Sequence, residues 1–322
     1  MPLGIKMSFP IADLHCDLLW YLSEEGARTP YDPESRASLP QLKEGGVFFQ
    51  TMAIFTETGK GSSAKGLAQV RSFLHHLQKD VVLSKGGDAL SLEKSSLYVI
   101  PAVENGSSLC EEDEPLEECF KRLEALCEKI APPLYVSLTW NGENRFGGGC
   151  FSDVGLKEDG KHLLDVLAHK KIAIDFSHTS DPLAEAIFNY IDQKGLLITP
   201  IASHSNFRAV HNHPRNLPDS FVKEIVKRGG VIGFNGVKKF VGDNFFKQAL
   251  KHLEYAKEMG VLKHLCFGAD FFCDKGFLEG AFDESFQNAS CYPRLMEYCA
   301  QNFTEEELKG IAHQNFMQFF TR

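Results

Sequence analysis

Histidine and carboxylate residues recur along this 322-residue chain at points where a run of apolar residues ends. His15 and Asp17 stand two positions apart after one such run, Glu104 follows another, and His178 and His204 follow two more. Imidazole nitrogen and carboxylate oxygen are ligands that suit Zn²⁺ and its borderline neighbours, and a hydrolytic site also needs an open position for water. The pattern therefore indicates a metal-dependent hydrolase.

The spacing of these residues favours one shared site. Side chains two positions apart at a strand end point to the same face, so His15 and Asp17 would enter the same space. Glu104 is suited to bridge two metal ions, because a carboxylate can offer one oxygen to each of two ions about 3.5–4 Å apart. Asp270 follows a later apolar run and remains available for proton transfer.

Each of these residues also has an ordinary structural interpretation. A lone histidine at a strand end, such as His178 or His204, is more often a hydrogen-bonded structural residue than a metal ligand. Asp270 could cap a helix or a turn, and Glu104 precedes Asn105 and a glycine and could belong to a turn. The recurrence of five or six such residues at successive strand ends favours the functional interpretation.

The elements that would position these side chains alternate along the whole chain. Eight apolar runs of strand length are separated by amphipathic stretches. The predicted strands cover residues 11–15, 47–55, 97–103, 134–139, 172–176, 196–202, 231–234 and 265–268. The predicted helices cover residues 64–83, 116–130, 161–170, 182–193, 219–227, 244–259 and 305–320, the last beginning with a capping box at Thr304 and Glu307.

This alternation predicts an α/β fold, a (β/α)8 barrel of the TIM type, with its functional residues at the C-terminal strand ends. No low-complexity linker interrupts the pattern, so we expect a single domain over residues 1–322. A doubly wound open sheet is the alternative fold, but no glycine-rich phosphate loop follows the first strand.

Composition and charge exclude several classes of partner. The 34 Lys and Arg residues against 43 Asp and Glu residues give a formal net charge of −9, which argues against nucleic-acid binding. The nine cysteines favour a reduced compartment. The N-terminal region lacks the apolar core of a signal peptide, and every apolar run is well short of the ~20 residues of a membrane span. We therefore expect a cytoplasmic protein with a small-molecule substrate and no nucleic-acid or membrane partner.

Five motifs resemble, in this order, those of the membrane (renal) dipeptidase family within the amidohydrolase superfamily. They are Asp-Leu-His-Cys-Asp-Leu at 13–18, Val-Glu-Asn-Gly at 103–106, Ile-Asp-Phe-Ser-His at 174–178, Ala-Ser-His-Ser-Asn at 202–206 with His-Pro-Arg-Asn-Leu at 213–217, and Gly-Ala-Asp-Phe at 268–271. The opening His-x-Asp separates this family from amidohydrolases that open with His-x-His. The resemblance runs from about residue 11 to the final helix.

The resemblance implies a barrel that holds two Zn²⁺ per chain and hydrolyses dipeptides, including those with a C-terminal D-residue. Carried over by position, His15, Asp17 and the bridging Glu104 would bind one zinc ion. Glu104, His178 and His204 would bind the other.

The same resemblance implies roles for two further residues and an assembly. Arg215 would bind the terminal carboxylate of the substrate, which its planar guanidinium fits. Asp270 would accept a proton from the attacking water and pass it to the leaving amine. The family resemblance also suggests a homodimer.

Two positions depart from the family pattern. Where kidney-type members have a histidine after Leu-Thr, this chain has Trp140, as in a bacterial branch of the family. The donor to the developing oxyanion is therefore open among Asn141, Asn144, Arg145 and zinc itself. The segment 231–236 also lacks the tyrosine that the family usually places near the substrate, so we expect substrate preference to differ.

Other hypotheses remain open at this point. A relative in the same superfamily could act on another amide, ester or phosphoester, and a metal-binding homologue could lack catalysis altogether. The glycine tract at 145–149 lacks a following Lys-Ser/Thr, which predicts a mobile loop at the barrel mouth rather than an anion site. The histidines outside the motifs are expected to be solvated; they are His75, His76, His162, His169, His252 and His264.

Overall fold

Parallel strands arranged as a barrel form the centre of the computed structural model, which describes residues 9–92 and 96–322. The strands are β1 (Ile11–Cys16), β2 (Val47–Phe55), β3 (Val82–Leu83), β4 (Tyr98–Glu104), β5 (Tyr135–Ser137), β6 (Ala173–Asp175), β7 (Pro200–Ile201), β8 (Ile232–Phe234) and β9 (Leu265–Phe267). Eight of them follow the hydrogen-bonded order β7-β6-β5-β4-β2-β1-β9-β8, and β3 pairs with β4 beside that path.

The two ends of this sheet meet and close the barrel. Ala202, just after β7, forms a parallel bridge with Ile232 in β8. The Gly233 backbone N–H donates to the Ala202 carbonyl at 2.7 Å. The prediction of a (β/α)8 barrel is therefore confirmed.

Helices follow the strands and cover the outside of the barrel. They are α1 (Leu18–Ser23), α2 (Leu39–Glu44), α3 (Ser62–His76), α4 (Leu116–Lys129), α5 (Glu158–Lys170), α6 (Asp181–Lys194), α7 (Asp219–Lys227), α8 (Lys238–Val241), α9 (Phe245–Glu258), α10 (Tyr292–Cys299), α11 (Glu305–Lys309) and α12 (Asn315–Phe320). The capping box of Thr304 and Glu307 is present at the start of α11. Within residues 9–92 and 96–322, none of the helices combines the length and apolar character required to cross a bilayer.

Two apolar clusters divide the core into an inner and an outer layer. The inner cluster draws buried residues from strands all around the barrel, among them Leu14, Tyr135 and Ile201, and Phe316 of α12 joins it. The outer cluster joins the opposite faces of the strands to the helices. This alternation of faces is the period-2 pattern expected of strands buried on both sides.

A bulge in β1 directs the first site residue toward the barrel mouth. Asp13 pairs with Gln50 but Cys16 pairs with Met52, so β1 has one residue more than β2 in this stretch. Such an extra residue locally interrupts the alternation of side chains between the two faces of the sheet, and it can redirect a side chain to the other face. His15 lies in the bulge, between Leu14 of the inner cluster and Cys16 of the outer cluster.

Two errors of the sequence prediction concern helical segments. The helix predicted over 64–83 ends at His76, and Val82–Leu83 instead forms β3, because it pairs with Tyr98 and Val99 of β4. The histidine His252, predicted to be solvated, is fully buried.

His252 is held as a neutral imidazole in α9. Its Nε2 donates to the Val241 carbonyl at 3.2 Å, and its Nδ1 accepts the Phe207 N–H at 3.4 Å. Burial lowers the pKa of His252 to about 4. Protonation of Nδ1 would place two donors face to face, so this residue favours the folded state in its neutral form.

Candidate metal centre

The polar residues predicted at the strand ends converge on Glu104, at the end of β4. One oxygen of this carboxylate, Oε2, lies 3.1 Å from His15 Nε2. The other, Oε1, lies 2.9 Å from His178 Nε2 and 3.6 Å from His204 Nε2. All four side chains are buried. Glu104 therefore presents a different oxygen to each of two groups of nitrogen ligands, which is the arrangement of a bridging carboxylate.

Three overlapping sets of ligand atoms lie close enough to hold a metal ion. In each set the atoms are within 4.8 Å of one another, and all the residues are buried. The sets are His15 with Asp17 and Glu104; Glu104 with His178 and His204; and His15 with His204 and Asp270. The first two sets coincide with the two ligand groups that the family resemblance implies.

Hydrogen bonds to the Nδ1 atoms leave the Nε2 atoms of two histidines free for a ligand. The Tyr135 hydroxyl donates to the Leu14 carbonyl at 3.0 Å and therefore accepts from His15 Nδ1 at 2.6 Å. Asn141 Oδ1 can only accept, so His178 Nδ1 donates to it at 2.8 Å. In the neutral form of both rings the proton is on Nδ1, and the Nε2 lone pair faces Glu104.

His204 is oriented by a relay through a serine. The Ser203 hydroxyl donates to Asp175 Oδ2 at 2.7 Å and accepts from His204 Nδ1 at 2.7 Å. Asp175 is itself fixed, since its Oδ1 accepts the backbone N–H groups of Ser177 and Ser203. Partners that set the tautomer and orientation of a metal-ligating histidine are a recurrent feature of metal sites.

The resulting cluster fits metal cations better than it fits hydrogen bonding alone. His178 Nε2 and His204 Nε2 lie 2.9 Å apart, yet with both protons on Nδ1 neither nitrogen can donate to the other. Within the described residues, His15 Nε2 and Asp17 Oδ1 are buried without a hydrogen-bond partner. Buried polar atoms are rarely left unpaired, so these lone pairs are explained by a cation between them.

The electrostatics of the cluster likewise favour positive charge. Burial, together with the charge of Glu104, raises the pKa of Asp17 to about 6. Burial alone would lower the pKa of His15, but Tyr135, Glu104 and Asp17 raise it well above its usual value. For Glu104 the effect of burial is outweighed by His15 and His178, which lower its pKa. The crowded carboxylates thus attract protons or metal cations.

Asp270 lies beside this cluster with one oxygen free. Its Oδ1 is 3.6 Å from His15 Nε2, and its Oδ2 accepts from Asn235 Nδ2 at 3.0 Å. Burial raises the pKa of Asp270 well above its usual value, although the charge of His15 opposes the shift. A buried carboxylate with a raised pKa is suited to exchange a proton near neutral pH.

Backbone strain is concentrated around these residues. Six non-glycine residues in the described part of the chain have positive φ, and three of them are His178 (69°), Asp270 (63°) and Asn105 (73°), which follows Glu104 directly. A non-glycine residue in this region costs about 1–3 kcal/mol and persists where the surroundings fix it. Its occurrence at three strand ends of one barrel mouth is typical of a functional site.

Sequence reasoning missed the residue that joins β1 to the Asp270 segment. Asp13 Oδ1 accepts the His15 N–H at 2.9 Å and the Ala269 N–H at 3.3 Å, and its other oxygen accepts from the Tyr292 hydroxyl. Asp13 therefore holds two segments that carry site residues. The available signal was a charged residue inside an otherwise apolar strand. Asp13 stands two positions before His15, and Asp175 likewise stands two positions before Ser177.

Arg215 is a buried cation without a carboxylate partner. It is 3% exposed, and among the described residues its guanidinium bonds only a hydroxyl and a carbonyl oxygen. Its guanidinium donates to the His204 carbonyl at 3.2 Å and to Ser205 Oγ at 3.4 Å, while its Nε has no partner. The ring of Phe240 covers it, with the guanidinium carbon 5.2 Å from the ring centroid. Its positive charge is therefore not balanced by a carboxylate contact within the described residues, and its Nε donor is unused.

A cavity with about 450 Å³ of empty space, its open mouth included, lies over the cluster. Its polar lining is Asp17, Glu104, Asn141, His178 and Asp270. Its apolar lining is Trp20, Phe55, Trp140, Val237, Phe240, Phe272, Phe277 and Leu278.

The structure separates the side-chain candidates for an oxyanion donor. Asn144 Nδ2 is already bonded to Asn105 Oδ1 at 2.9 Å and to the Leu138 carbonyl at 2.7 Å. Arg145 is bonded to Asp159 at 2.8 Å. Asn141 alone among these three lines the cavity, and its Nδ2 makes no hydrogen bond within the described residues.

Residues 146–149 of the glycine tract are buried and its glycines are tightly packed, which corrects the expectation of a mobile loop. A Cβ atom on Gly149 would lie 1.9 Å from the Trp140 carbonyl oxygen. The Gly149 N–H donates to the Gly142 carbonyl at 2.9 Å, and the Phe151 N–H donates to the Asn141 carbonyl at 2.9 Å. The absence of a side chain on Gly149 therefore lets its backbone pack directly against the backbone of Trp140 and Asn141, which fixes these two residues at the cavity.

Comparison with known proteins relates this chain to a family of metallopeptidases. The family model for membrane dipeptidase, peptidase family M19, matches residues 4–322. Human dipeptidase 3 is 22% identical over 339 residues, which cover 98% of this chain and 66% of the relative. This chain therefore spans just under two thirds of the length of that relative. An uncharacterized protein from Acinetobacter calcoaceticus is 34% identical over 132 residues, covering 36% of this chain and 40% of the relative.

Two solved structures share the fold along almost the whole chain. The dipeptidase AC, a metallopeptidase of family M19, superimposes with a TM-score of 0.83 at 18% identity and covers 98% of this chain and 99% of its own. A metallopeptidase from Rhodobacter sphaeroides, bound to a phosphinate mimic of the dipeptide L-Ala-D-Ala, gives 0.82 at 18% identity with the same coverage. At these identities the likeness shows the fold.

Proposed function

The chain belongs to the membrane dipeptidase family, peptidase family M19, and from this premise we propose that it is a zinc-dependent dipeptidase that hydrolyses small dipeptides, including those with a C-terminal D-residue. The observation that carries the proposal is the buried cluster around Glu104, on which the histidine Nε2 atoms converge, with Arg215 bonded to the backbone carbonyl of His204. The Rhodobacter relative that binds a mimic of L-Ala-D-Ala supports the choice of substrate.

Two zinc ions per chain fit the donor set. His15, Asp17 and Glu104 would hold one ion, and Glu104, His178 and His204 would hold the other. When bound, the pair would supply a water of lowered pKa and a Lewis acid for the peptide carbonyl. The protein itself therefore has to position the substrate and to move protons.

Asp270 is assigned the proton transfer. Its Oδ1 faces the cluster, whereas Asn235 holds Oδ2. Oδ1 accepts a proton from the attacking water and later donates it to the nitrogen of the leaving amine.

Arg215 is assigned the substrate carboxylate, and this assignment is testable with amidated substrates. Replacing Arg215 by Ala is expected to raise KM for free dipeptides by about 10- to 100-fold, since hydrogen bonds to charged groups contribute about 1.5–3 kcal/mol. C-terminally amidated dipeptides, which lack the carboxylate, should show a much smaller rise. Steady-state kinetics on matched free and amidated pairs measures the difference, with Arg71→Ala on the exposed face of α3 as control. Equal effects on both substrates would remove Arg215 from this role.

Asn141 is assigned as the side-chain donor to the developing oxyanion. Asn141→Asp keeps an acceptor for His178 Nδ1 but removes the N–H donor from the cavity. We expect kcat to fall by about 10²-fold with little change in KM, since this is the usual cost of losing one oxyanion donor. Zinc content measured in parallel separates this effect from loss of metal. An unchanged kcat would leave the stabilisation of the oxyanion to the metal alone.

The proposed function itself is tested by a substrate panel with zinc added. Purified protein is assayed on L,L-dipeptides, L,D-dipeptides and simple esters, before and after chelation. We expect dipeptide hydrolysis that is lost on chelation and restored by zinc. Hydrolysis of esters alone would indicate a superfamily relative with another substrate, and metal binding without any turnover would indicate a non-catalytic homologue.

A further inference from the structure

Four aromatic side chains form a closed circuit at the cavity. The ring centroid of Phe55 lies 6.0 Å from that of Trp20 and 5.1 Å from that of Trp140. The ring centroid of Phe277 lies 5.2 Å from that of Trp20 and 6.1 Å from that of Trp140. All four side chains line the cavity above the cluster. We name these four residues the aromatic box.

The aromatic box lies across the barrel mouth from Arg215. The groups that hold Arg215, the His204 carbonyl and Ser205 Oγ, come directly after β7. In the order β7-β6-β5-β4-β2-β1-β9-β8, β2 is four strands from β7 in either direction, so it is opposite.

The members of the box are distributed around β2. Phe55 is the last residue of β2, and Trp20 lies in α1, which follows β1. Trp140 follows β5 on one side, and Phe277 follows β9 on the other. Each of these two strands is two places from β2 in the sheet order. The centre of the box therefore lies on the side of β2, with the Glu104 cluster between the box and Arg215.

This placement defines which part of a substrate reaches the box. The step rests on the proposed function, in which Arg215 holds the C-terminal carboxylate and the scissile bond lies at the cluster. A dipeptide bound in this way extends its N-terminal residue away from Arg215. We propose that the aromatic box binds the side chain of the N-terminal residue and selects bulky apolar side chains, above all aromatic ones.

The chemistry of the cavity wall supports this class of substrate. The wall around the box continues with apolar residues, Val237, Phe272 and Leu278. An aromatic guest gains both from leaving water and from edge-to-face contact with neighbouring rings. The contacts within the box already include an edge-to-face pair, Trp20 with Phe55 at an interplanar angle of 89°. A short polar side chain would leave this apolar surface uncovered.

The test compares dipeptides that differ at one end only. We expect kcat/KM for Phe-Ala to exceed that for Ala-Ala by about tenfold or more, the scale on which apolar pockets discriminate. Ala-Phe should show no such gain. Phe277→Ala should bring the ratio of Phe-Ala to Ala-Ala close to one, and Phe277→Leu should retain part of it.

Phe151→Ala serves as the matched control. Phe151 is 59% exposed and contacts His213 rather than the box, so its removal should leave the ratio unchanged. A preference for Lys-Ala would show that the rings select a cation instead. A gain for Ala-Phe, or a ratio that Phe277→Ala does not alter, would overturn the box assignment while leaving the dipeptidase intact. Absence of turnover on every dipeptide would overturn the proposed function, and the box assignment with it.

Discussion

Replacement of Asp270 by Asn is expected to lower kcat for dipeptide hydrolysis by about 10³-fold while zinc remains bound. The amide is close in size to the carboxylate but cannot accept the proton of the attacking water at Oδ1. Elemental analysis of zinc and steady-state kinetics on the same sample measure the two quantities together. Asp283→Asn is the matched control, because the Asp283 carboxylate accepts from Ser285 within its own turn.

The metal measurement separates a chemical role for Asp270 from a ligand role. Asp270 also belongs to a set of potential ligands with His15 and His204. Loss of one zinc ion from Asp270→Asn would therefore assign this residue to the metal. Retention of kcat within tenfold would remove it from the reaction.

Replacement of Glu104 by Gln is expected to lower activity by at least as much as replacement of Asp270, through loss of metal. Glu104 presents Oε2 to His15 and Oε1 to His178, and Gln keeps the shape but replaces one oxygen by an N–H donor and removes the charge. Mutation of residues that only hydrogen-bond to metal ligands lowers metal affinity by about 10- to 100-fold. Loss of a bridging ligand itself should therefore lower metal affinity by more than about 100-fold. We expect fewer than two zinc ions per chain and activity reduced by at least about 10³-fold.

Zinc content and thermal unfolding provide the measurement for Glu104→Gln. A metal that binds only the folded state raises Tm, so the variant should lose most of the zinc-dependent increase. Glu57→Gln, an exposed carboxylate shortly after β2, should behave as the wild type. Two tightly bound zinc ions in Glu104→Gln would contradict the bridging role.

Much of the barrel could be predicted because its strands are apolar runs that are buried on both faces. The bounds of β2 and α7 agree with the prediction to the residue. The strand prediction fails where an apolar run is not hydrogen-bonded to a neighbouring strand along its whole length. The run at 196–202 reads as a strand, but strand pairing is confined to Pro200–Ile201 and the bridge at Ala202, and Leu197 is 90% exposed. Hydrophobic pattern indicates burial and does not by itself specify strand pairing.

The converging side chains of the site could also be predicted, because their types are unusual at the ends of apolar strands. Their partners could not. Tyr135, Ser203 and Asn141 fix the three imidazoles, yet each is an ordinary residue type. Tyr135 and Asn141 contact histidines that are distant in the sequence, and Ser203 is itself fixed by the distant Asp175. The bulge that turns His15 inward is equally a property of pairing between β1 and β2. The metal-binding and substrate-binding roles of the site residues stay predictions.

The most direct test is a calorimetric titration of the metal-stripped protein with zinc, followed in parallel by hydrolysis of L-Ala-D-Ala. Three histidines, Asp17 and the two oxygens of Glu104 provide donors for two ions. We predict that two zinc ions bind per chain and that dipeptide turnover appears as they bind. Binding of less than one zinc ion per chain, or turnover that does not depend on metal, would contradict a binuclear zinc dipeptidase.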